Sequence, residues 1–425
     1  MEHGLQPNAQ MPAGVHELFE PIVVTGDGAN LSGTLDDRRP LTIIRRGRRA
    51  DGTLYEGPLI LIEDAHNAAI HNLVIEGRRF ESIDGDYVDQ RHPLNSDRTS
   101  PLFLCSQRLD APECYDPRHF IARVEGDISI VRSSDVEVTN VFCNDSIKFG
   151  IGIGHGCTRI RLYNFEIRRA GDYGLWIGAG VEPTIKRLPL DTKFQAQMPD
   201  DILLENGFVE RCGSAGIFIE GYNVTLGNVK LLANNWDCPY NDESGQLTID
   251  YKADGVRVRG CEIFGGPEIV RCRPDGVEVV IGTFGVEACG SNLWFEDTIV
   301  EGNSRDAVQI LGARGVRFSG RTRFINNHLA QHRHPSFPGH RERQNISITT
   351  NAAFAALNVL ADDVTLDNVV CENGIIIWSD GSAPDWALDR LVVRNCDLSG
   401  PDYSGVAVGT DSLGRSLQGS GWLIE

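Results

Sequence analysis

The chain has 425 residues, 41% of them hydrophobic, which is ample material for a long core, and no segment approaches the roughly 18 consecutive apolar residues of a membrane span. Its formal net charge of −19 disfavours nucleic acid or an anionic membrane as a general partner, because both require a basic surface, although a local basic groove is still compatible. Forty-six glycines, abundant Val, Ile, Leu and Phe, and no sustained helical period point to an all-β protein rich in turns.

The first residues, MEHGLQPNAQMPAGVHELFEPIVV, show no basic segment followed by an apolar one. This predicts a cytoplasmic protein, or a secreted one if a leader has been removed. A cap over about residues 1–30 leads into the first strands. From there an eight-residue motif recurs: apolar, x, apolar, x, Asn, x, x, apolar. It is read as AAIHNLVI (68–75), VEVTNVFC (136–143), IRLYNFEI (160–167), ILLENGFV (202–209) and VTLGNVKL (224–231). It continues as VRVRGCEI (256–263), LWFEDTIV (293–300), VRFSGRTR (316–323, imperfect), VTLDNVVC (364–371) and LVVRNCDL (391–398). Seven of these ten copies carry Asn at the fifth position: Asn72, Asn140, Asn164, Asn206, Asn228, Asn368 and Asn395. The others carry Gly260, Asp297 and Gly320. These residue types tolerate the left-handed backbone of a sharp bend between two short strands, and stacked asparagines can hydrogen-bond along the stack.

Before most copies stands a further strand: GIGIG (150–154), GLWIG (174–178), GIFIE (216–220), QLTID (246–250), GVEAC (285–289), VQIL (308–311), FAALNV (354–359) and GVAVG (405–409). Short strands repeating every two dozen to about fifty residues mark a solenoid, and the regular four-strand units of a propeller are missing. The pattern resembles the right-handed parallel β-helix of the pectate-lyase and polygalacturonase type over about residues 20 to 410. That resemblance implies a single domain of about ten or more coils, with coils over about 31–410 and a C-terminal tail at 411–425. It is specific for fold and weak for chemistry, since hydrolases, lyases, epimerases, tailspikes and adhesins share the fold. Insertions at 78–126, 179–201, 232–245, 264–284 and 327–352 break the period; the first and last are long enough to wall a cleft. The abrupt end at Gly421-Trp422-Leu423-Ile424-Glu425 suggests a covered end, as a homo-oligomer would provide.

Alternation along the preceding strands sets up two outward columns. One holds Gly152, Trp176, Phe218, Thr248, Glu287 and Gln309; the other holds Gly154, Gly178, Glu220, Asp250, Cys289 and Leu311. Glu220 and Asp250 then lie one coil apart, about 4.8 Å between backbones, and two carboxylates that close suit general acid–base work. Glu287, one coil on and two residues back, lies roughly 8 Å from Asp250, within the separation of an inverting glycosidase pair. Trp176 and Phe218 could stack on sugar rings, Lys252, His155, Asp237 and Gln309 join them as candidate substrate-binding residues, and Lys148, Asp242 and Glu243 lie nearby in sequence or register. The blander alternatives are a solvated acidic face paired with neighbouring Arg and Lys, and aromatic packing under a loop.

Gly154-His155-Gly156 followed by Thr158-Arg159-Ile160 resembles the Gly-His-Gly and Arg-Ile-Lys signatures of polygalacturonases. In that family the two lie farther apart after paired aspartates, where this chain has only Asn144-Asp145. Asp116-Pro117-Arg118-His119 is similar to the Asp-Pro-His-Asp of alginate epimerases, with the order broken. The His-rich run from His328 to Arg343 could meet an anionic sugar or a metal, or form a solvated loop. Arg168-Arg169 and Arg271/Arg273 could serve a lyase. No zinc spacing or compact calcium motif is seen, so no metal or cofactor is expected. Of the 11 cysteines, Cys143, Cys261, Cys371 and Cys396 fall at core positions, and Cys105 and Cys114 could pair across a loop.

Together these features predict a carbohydrate-active enzyme that cleaves glycosidic bonds through Glu220, Asp250 and Glu287, a glycoside hydrolase or a fructan-type transferase. The alternatives are a lyase or C5-epimerase on a uronate glycan, and a non-catalytic β-helix for binding or assembly.

Overall fold

The computed structural model describes residues 9–55, 57–79, 126–178, 198–235, 245–265, 269–272, 278–281, 283–327, 345–349, 361–377, 387–400, 404–408, 418–419 and 421–425. The chain is a right-handed parallel β-helix: 33 strands join in one continuous sheet wound into three faces, and no α-helix occurs among the described residues. The first face runs through Ile22–Asp27, Ile60–His66, Gly126–Val131, Phe149–Ile153, Leu175–Ile177, Ile217–Ile219, Gly245–Ile249, Phe284–Ala288, Val308–Leu311, Ile346–Thr349, Ile375–Ile377 and Val406–Val408. Each strand pairs in parallel with its neighbours one coil away. The two halves of the eight-residue motif supply the second and third faces.

The fifth motif residue marks the corner between those faces. All ten copies adopt the left-handed conformation there, from Asp297 at φ 49° to Gly320 at φ 70°. Asn140 also donates from Nδ2 to Asn72 Oδ1 one coil below, at 2.9 Å. A second left-handed ladder stands one residue before the motif, at Asn67, Asp135, Arg159, Asp201, Asn223, Gly255, Asn292, Gly315 and Asp363. These residues turn the chain from the first face into the second.

The core is stacked in columns. Ile62, Ile130, Ile153, Ile177, Ile219, Ile249, Ala288, Ile310, Ile348 and Ile377 follow one another in register, all of them buried. Like residues in successive coils interlock on β-branched surfaces, which is the packing for which strand-forming side chains are suited. Burying such a side chain is worth about 1.5–3 kcal/mol. Cys143, Cys261 and Cys371 join this core as free thiols, whereas Cys396 is only partly buried. Burial pushes the Cys157 thiol up to about 12 and that of Cys261 to about 11, which leaves both inert.

Both ends differ from the sequence expectation. Gly14–Leu18 already pairs with Thr42–Arg46, and Ile22–Asp27 with Ile60–His66, so the stack begins inside the expected cap of residues 1–30. Its opening strand is largely exposed, which hides it from any apolar pattern. Trp422–Ile424 likewise pairs with Leu391–Arg394, so the expected tail of 411–425 closes with a strand of the second face. The expected FAALNV strand, Cys105 and Cys114, the Asp116–His119 motif and the His328–Arg343 run lie outside the described residues.

Candidate active site on the first face

Strand register brings the predicted columns together. Trp176 pairs with Phe218, Phe218 with Thr248, Thr248 with Glu287, and Glu287 with Gln309. The backbone amides of Glu220 and Asp250 bond to Ile177 and Ile219 at 2.7 and 2.8 Å, continuing the ladder by one residue at each strand end. Glu220 and Asp250 therefore stand one above the other, as the alternation predicts.

Two further features shape this pair. The first is burial: Glu220 is 1% exposed and Asp250 8%. The second is Lys252, whose Nζ lies 2.5 Å from Glu220 Oε1 and 3.8 Å from Asp250 Oδ1. The Lys252 amide also donates to Asp250 Oδ1 at 3.2 Å, so the chain folds back over Asp250 and returns the ammonium to the carboxylates. Two buried carboxylates therefore share a buried cation, and Lys252, a substrate-binding candidate in the sequence, is spent on them at 1% side-chain exposure. Gly178, one coil below Glu220, leaves the room: a Cβ there would collide with Glu220 Oε2 and approach Trp176 Cζ2 to 2.9 Å.

Glu287 and Gln309 are partly exposed, so the column opens toward its C-terminal coils. The Thr248 hydroxyl donates to Glu287 Oε2 at 3.5 Å, and Ser347, in register with Gln309, donates to Asp306 Oδ2 at 2.5 Å. Toward the N-terminal coils the face is aromatic. Trp176 and Phe218, expected to carry sugar rings, are 7% and 8% exposed and pack with Phe149 and Tyr173. The Tyr173 ring stacks on Phe218 at 4.7 Å between centroids and on Phe149 at 5.6 Å, and Phe149 meets Trp176 at 5.4 Å. Most of the aromatic surface is thus spent within the cluster.

Sequence reasoning missed Tyr173 and its neighbour Asp172, which sit in a turn before a strand and so outside any alternating pattern. Burial raises the Asp172 carboxyl to about 6, against the opposing pull of Lys148 and Arg79. Lys148 also lies 4.9 Å above the Phe149 ring. The marker for this group is the run Gly171-Asp172-Tyr173-Gly174, a turn signal that places a carboxylate and a ring at the edge of the face. His155 occupies the turn after Phe149–Ile153, two coils before Glu220, where its carbonyl accepts from the Arg132 amide at 2.9 Å. Asp237 lies outside the described residues. No group of three or more potential metal ligands is found among the described residues.

No family model matches the chain, and no curated protein matches it in sequence. Among solved structures it is similar to the A-module of the mannuronan C-5 epimerase AlgE6 of Azotobacter vinelandii, with a TM-score of 0.51 at 11% identity over 98% of this chain and 90% of that one. The AlgE4 A-module of the same organism matches with a TM-score of 0.50 at 9% identity over 98% and 90%. The surface adhesin PfbA of Streptococcus pneumoniae gives 0.50 at 10% identity over 95% and 86%. What these likenesses share with the chain is its architecture, the right-handed parallel β-helix.

Proposed function

We propose that the chain is a carbohydrate-active enzyme that cleaves glycosidic bonds on the first face, with Asp250 and Glu287 as the reacting carboxylates. The observation that carries this reading is the run of three carboxylates on successive coils, Glu220, Asp250 and Glu287, beside an aromatic cluster on one outward face. Their exposures divide the roles. Glu220 is sealed against Lys252 and acts as a positioning residue, holding the ammonium beside Asp250. Glu287, partly exposed, stands at the open end of the column, and Asp250, 8% exposed, lies one coil before it. One protonates the departing glycosidic oxygen while the other takes a proton from the attacking water, so the bond to the anomeric carbon passes from sugar oxygen to water oxygen.

A second reading rests on Lys252. The Lys252 ammonium, held charged by two carboxylates, also suits neutralising a uronate carboxyl while a neighbouring carboxylate takes the adjacent proton, and two of the fold neighbours are mannuronan C-5 epimerase modules. One experiment separates the two. The purified chain, Asp250→Asn, Glu287→Gln and Glu220→Gln are incubated with neutral and uronic-acid glycans. Reducing ends and the ultraviolet absorbance of unsaturated uronate are read together. New reducing ends without absorbance, lost by about 100-fold or more in the first two variants, support hydrolysis. Absorbance gain moves the reaction to Lys252, and turnover untouched by Asp250→Asn and Glu287→Gln rules out the proposed pair.

A further inference from the structure

The second face carries a feature the first-face chemistry does not use. Its outward column runs Thr225, Arg257, Trp294, Arg317 and Thr365 in register, one residue per coil. Trp294 is 44% exposed, the most exposed large aromatic apart from Phe19 among the described residues. The Arg257 guanidinium carbon lies 5.5 Å from its ring centroid, and Arg317 stands on the opposite side, one coil on. These three side chains line a cleft of about 530 Å³ with Asn223, Asn292 and Gly315 at its edge. Gly255 and Gly315, both left-handed, stand two residues before the two arginines and keep the floor beside each of them free of a side chain.

The electrostatics of this cleft run against the rest of the chain. In a protein of net charge −19, most surface arginines on the wound faces face a carboxylate one coil away. The carboxylates at this rim are already engaged: Asp201 with Arg161 at 2.9 Å, Asp363 with Arg390 at 3.1 Å, and Asp254 with the Asn292 amide at 2.7 Å. Arg257 and Arg317 have no carboxylate within ion-pair distance among the described residues. Two arginines whose backbones stand about 10 Å apart, twice the strand spacing, thus flank a flat aromatic surface. Guanidinium forks match planar or tetrahedral oxyanions, and an indole face takes up the apolar side of a sugar ring.

We infer that this cleft is a second, non-catalytic binding site for an anionic oligosaccharide, one that bears carboxylate or sulfate groups on successive or alternate rings. The chain would hold such a glycan by Trp294 and anchor its charges on Arg257 and Arg317. The site is independent of which reaction the first face performs.

The test is affinity electrophoresis and calorimetric titration of the full chain with polygalacturonate, chondroitin sulfate and neutral dextran oligosaccharides. At low salt the expected result is at least about tenfold tighter binding to one or both anionic probes than to dextran, equal to 1.4 kcal/mol. That preference should shrink as salt rises. Arg257→Gln/Arg317→Gln should weaken binding by about tenfold or more, and Trp294→Ala should do likewise, while both leave turnover of short soluble substrates unchanged. Glu287→Gln should abolish turnover and leave this binding intact, so failure of the catalytic proposal is distinguishable from failure of this one. Preference for polygalacturonate identifies carboxylates as the ligand groups, and preference for chondroitin sulfate identifies sulfates. The inference is overturned by equal affinity for dextran, by no binding to any probe, or by binding that survives the double arginine variant. It is also overturned if Trp294→Ala turns a dimer into a monomer in sedimentation without affecting glycan, because a second copy of the chain would then be the occupant.

Discussion

Replacing Lys252 with Met keeps the length of the side chain and removes its charge. The ammonium now lies 2.5 Å from Glu220 Oε1, and both side chains are only 1% exposed. Water is therefore poorly placed to replace it. Removing one partner of a buried ion pair strands the other charge, at a cost of about 3–5 kcal/mol. The entropy of unfolding is about 2.1 cal/mol/K per residue, and over the 425 residues of this chain that amounts to about 0.9 kcal/mol/K. The expected drop in melting temperature is then roughly 3–6 °C. Glu220→Gln in the Lys252→Met background removes the stranded charge and should restore about 2 kcal/mol, a coupling within the range of neighbouring groups. A control is Lys230→Met, which breaks a 3.0 Å pair with Glu262 whose side chains are 43% and 47% exposed. That pair is worth about 1 kcal/mol or less, so the control should melt within about 1 °C of the parent. Circular-dichroism melts and urea midpoints of five proteins, the parent, these three variants and Glu220→Gln alone, provide the measurement. The reasoning fails if Lys252→Met melts with the control, or if the double variant falls by the sum of its parts.

Asn140 at φ 57°, bonded to Asn72, predicts that Asn140→Ala costs about 1–2 kcal/mol and that Asn140→Gly recovers most of it. Equal urea midpoints for Ala and Gly at that corner would show that its left-handed backbone is not what demands the asparagine. Asp172, raised to about 6 from 3.8, binds its proton more tightly in the folded chain than in the unfolded one. The stability it contributes is therefore present below about pH 4 and lost as pH rises through about 6. Asp172→Asn should match the parent at pH 4 and exceed it at pH 7, and a gap that does not change between those two values contradicts the burial argument.

The fold was legible because a solenoid writes its geometry into a repeat. Each motif residue at the corner needs a left-handed backbone, few residue types tolerate it, and so Asn72, Asn140 or Gly260 announces a bend wherever it stands. Alternation then fixed which residues share a column, and the register of Trp176, Phe218, Thr248, Glu287 and Gln309 followed from that alone. The second corner was harder to see because its occupants are mixed, and Arg159 at φ 55° is not a residue type that signals a turn. The site was only half legible for a related reason. Alternation reports direction, not depth, so it placed Glu220 and Asp250 outward without revealing their burial. Lys252 was legible only as a nearby substrate-binding candidate, because its long stem carries the charge back across the coil from a turn position to the buried carboxylates. The same limit hid Tyr173, whose ring reaches Phe218 from outside any strand.

Charge pairing shows why the two unusual places on this chain are worth separating from its scaffold. Around the wound faces an arginine repeatedly meets a carboxylate one coil away: Arg159 with Asp135 at 2.6 Å, Arg169 with Asp145 at 2.6 Å, Arg394 with Asp367 at 2.7 Å. Arg159 holds the Asp135 carboxyl down at about 2. Each such pair is worth about 1 kcal/mol or less, yet it rewards one register of neighbouring coils over a slipped one. A stack built this way has no need of a lysine sealed beneath two carboxylates, nor of two arginines that meet no carboxylate among the described residues around an exposed tryptophan. Both arrangements cost more than the ladders around them, since one desolvates charge and the other leaves like charges within reach of each other. Neither is required for a neighbouring coil to dock, because the isoleucine columns and the corner residues already secure that. The two departures from the scaffold's own pattern, on the first face and on the second, are therefore the places where the chain's chemistry and its recognition are to be sought.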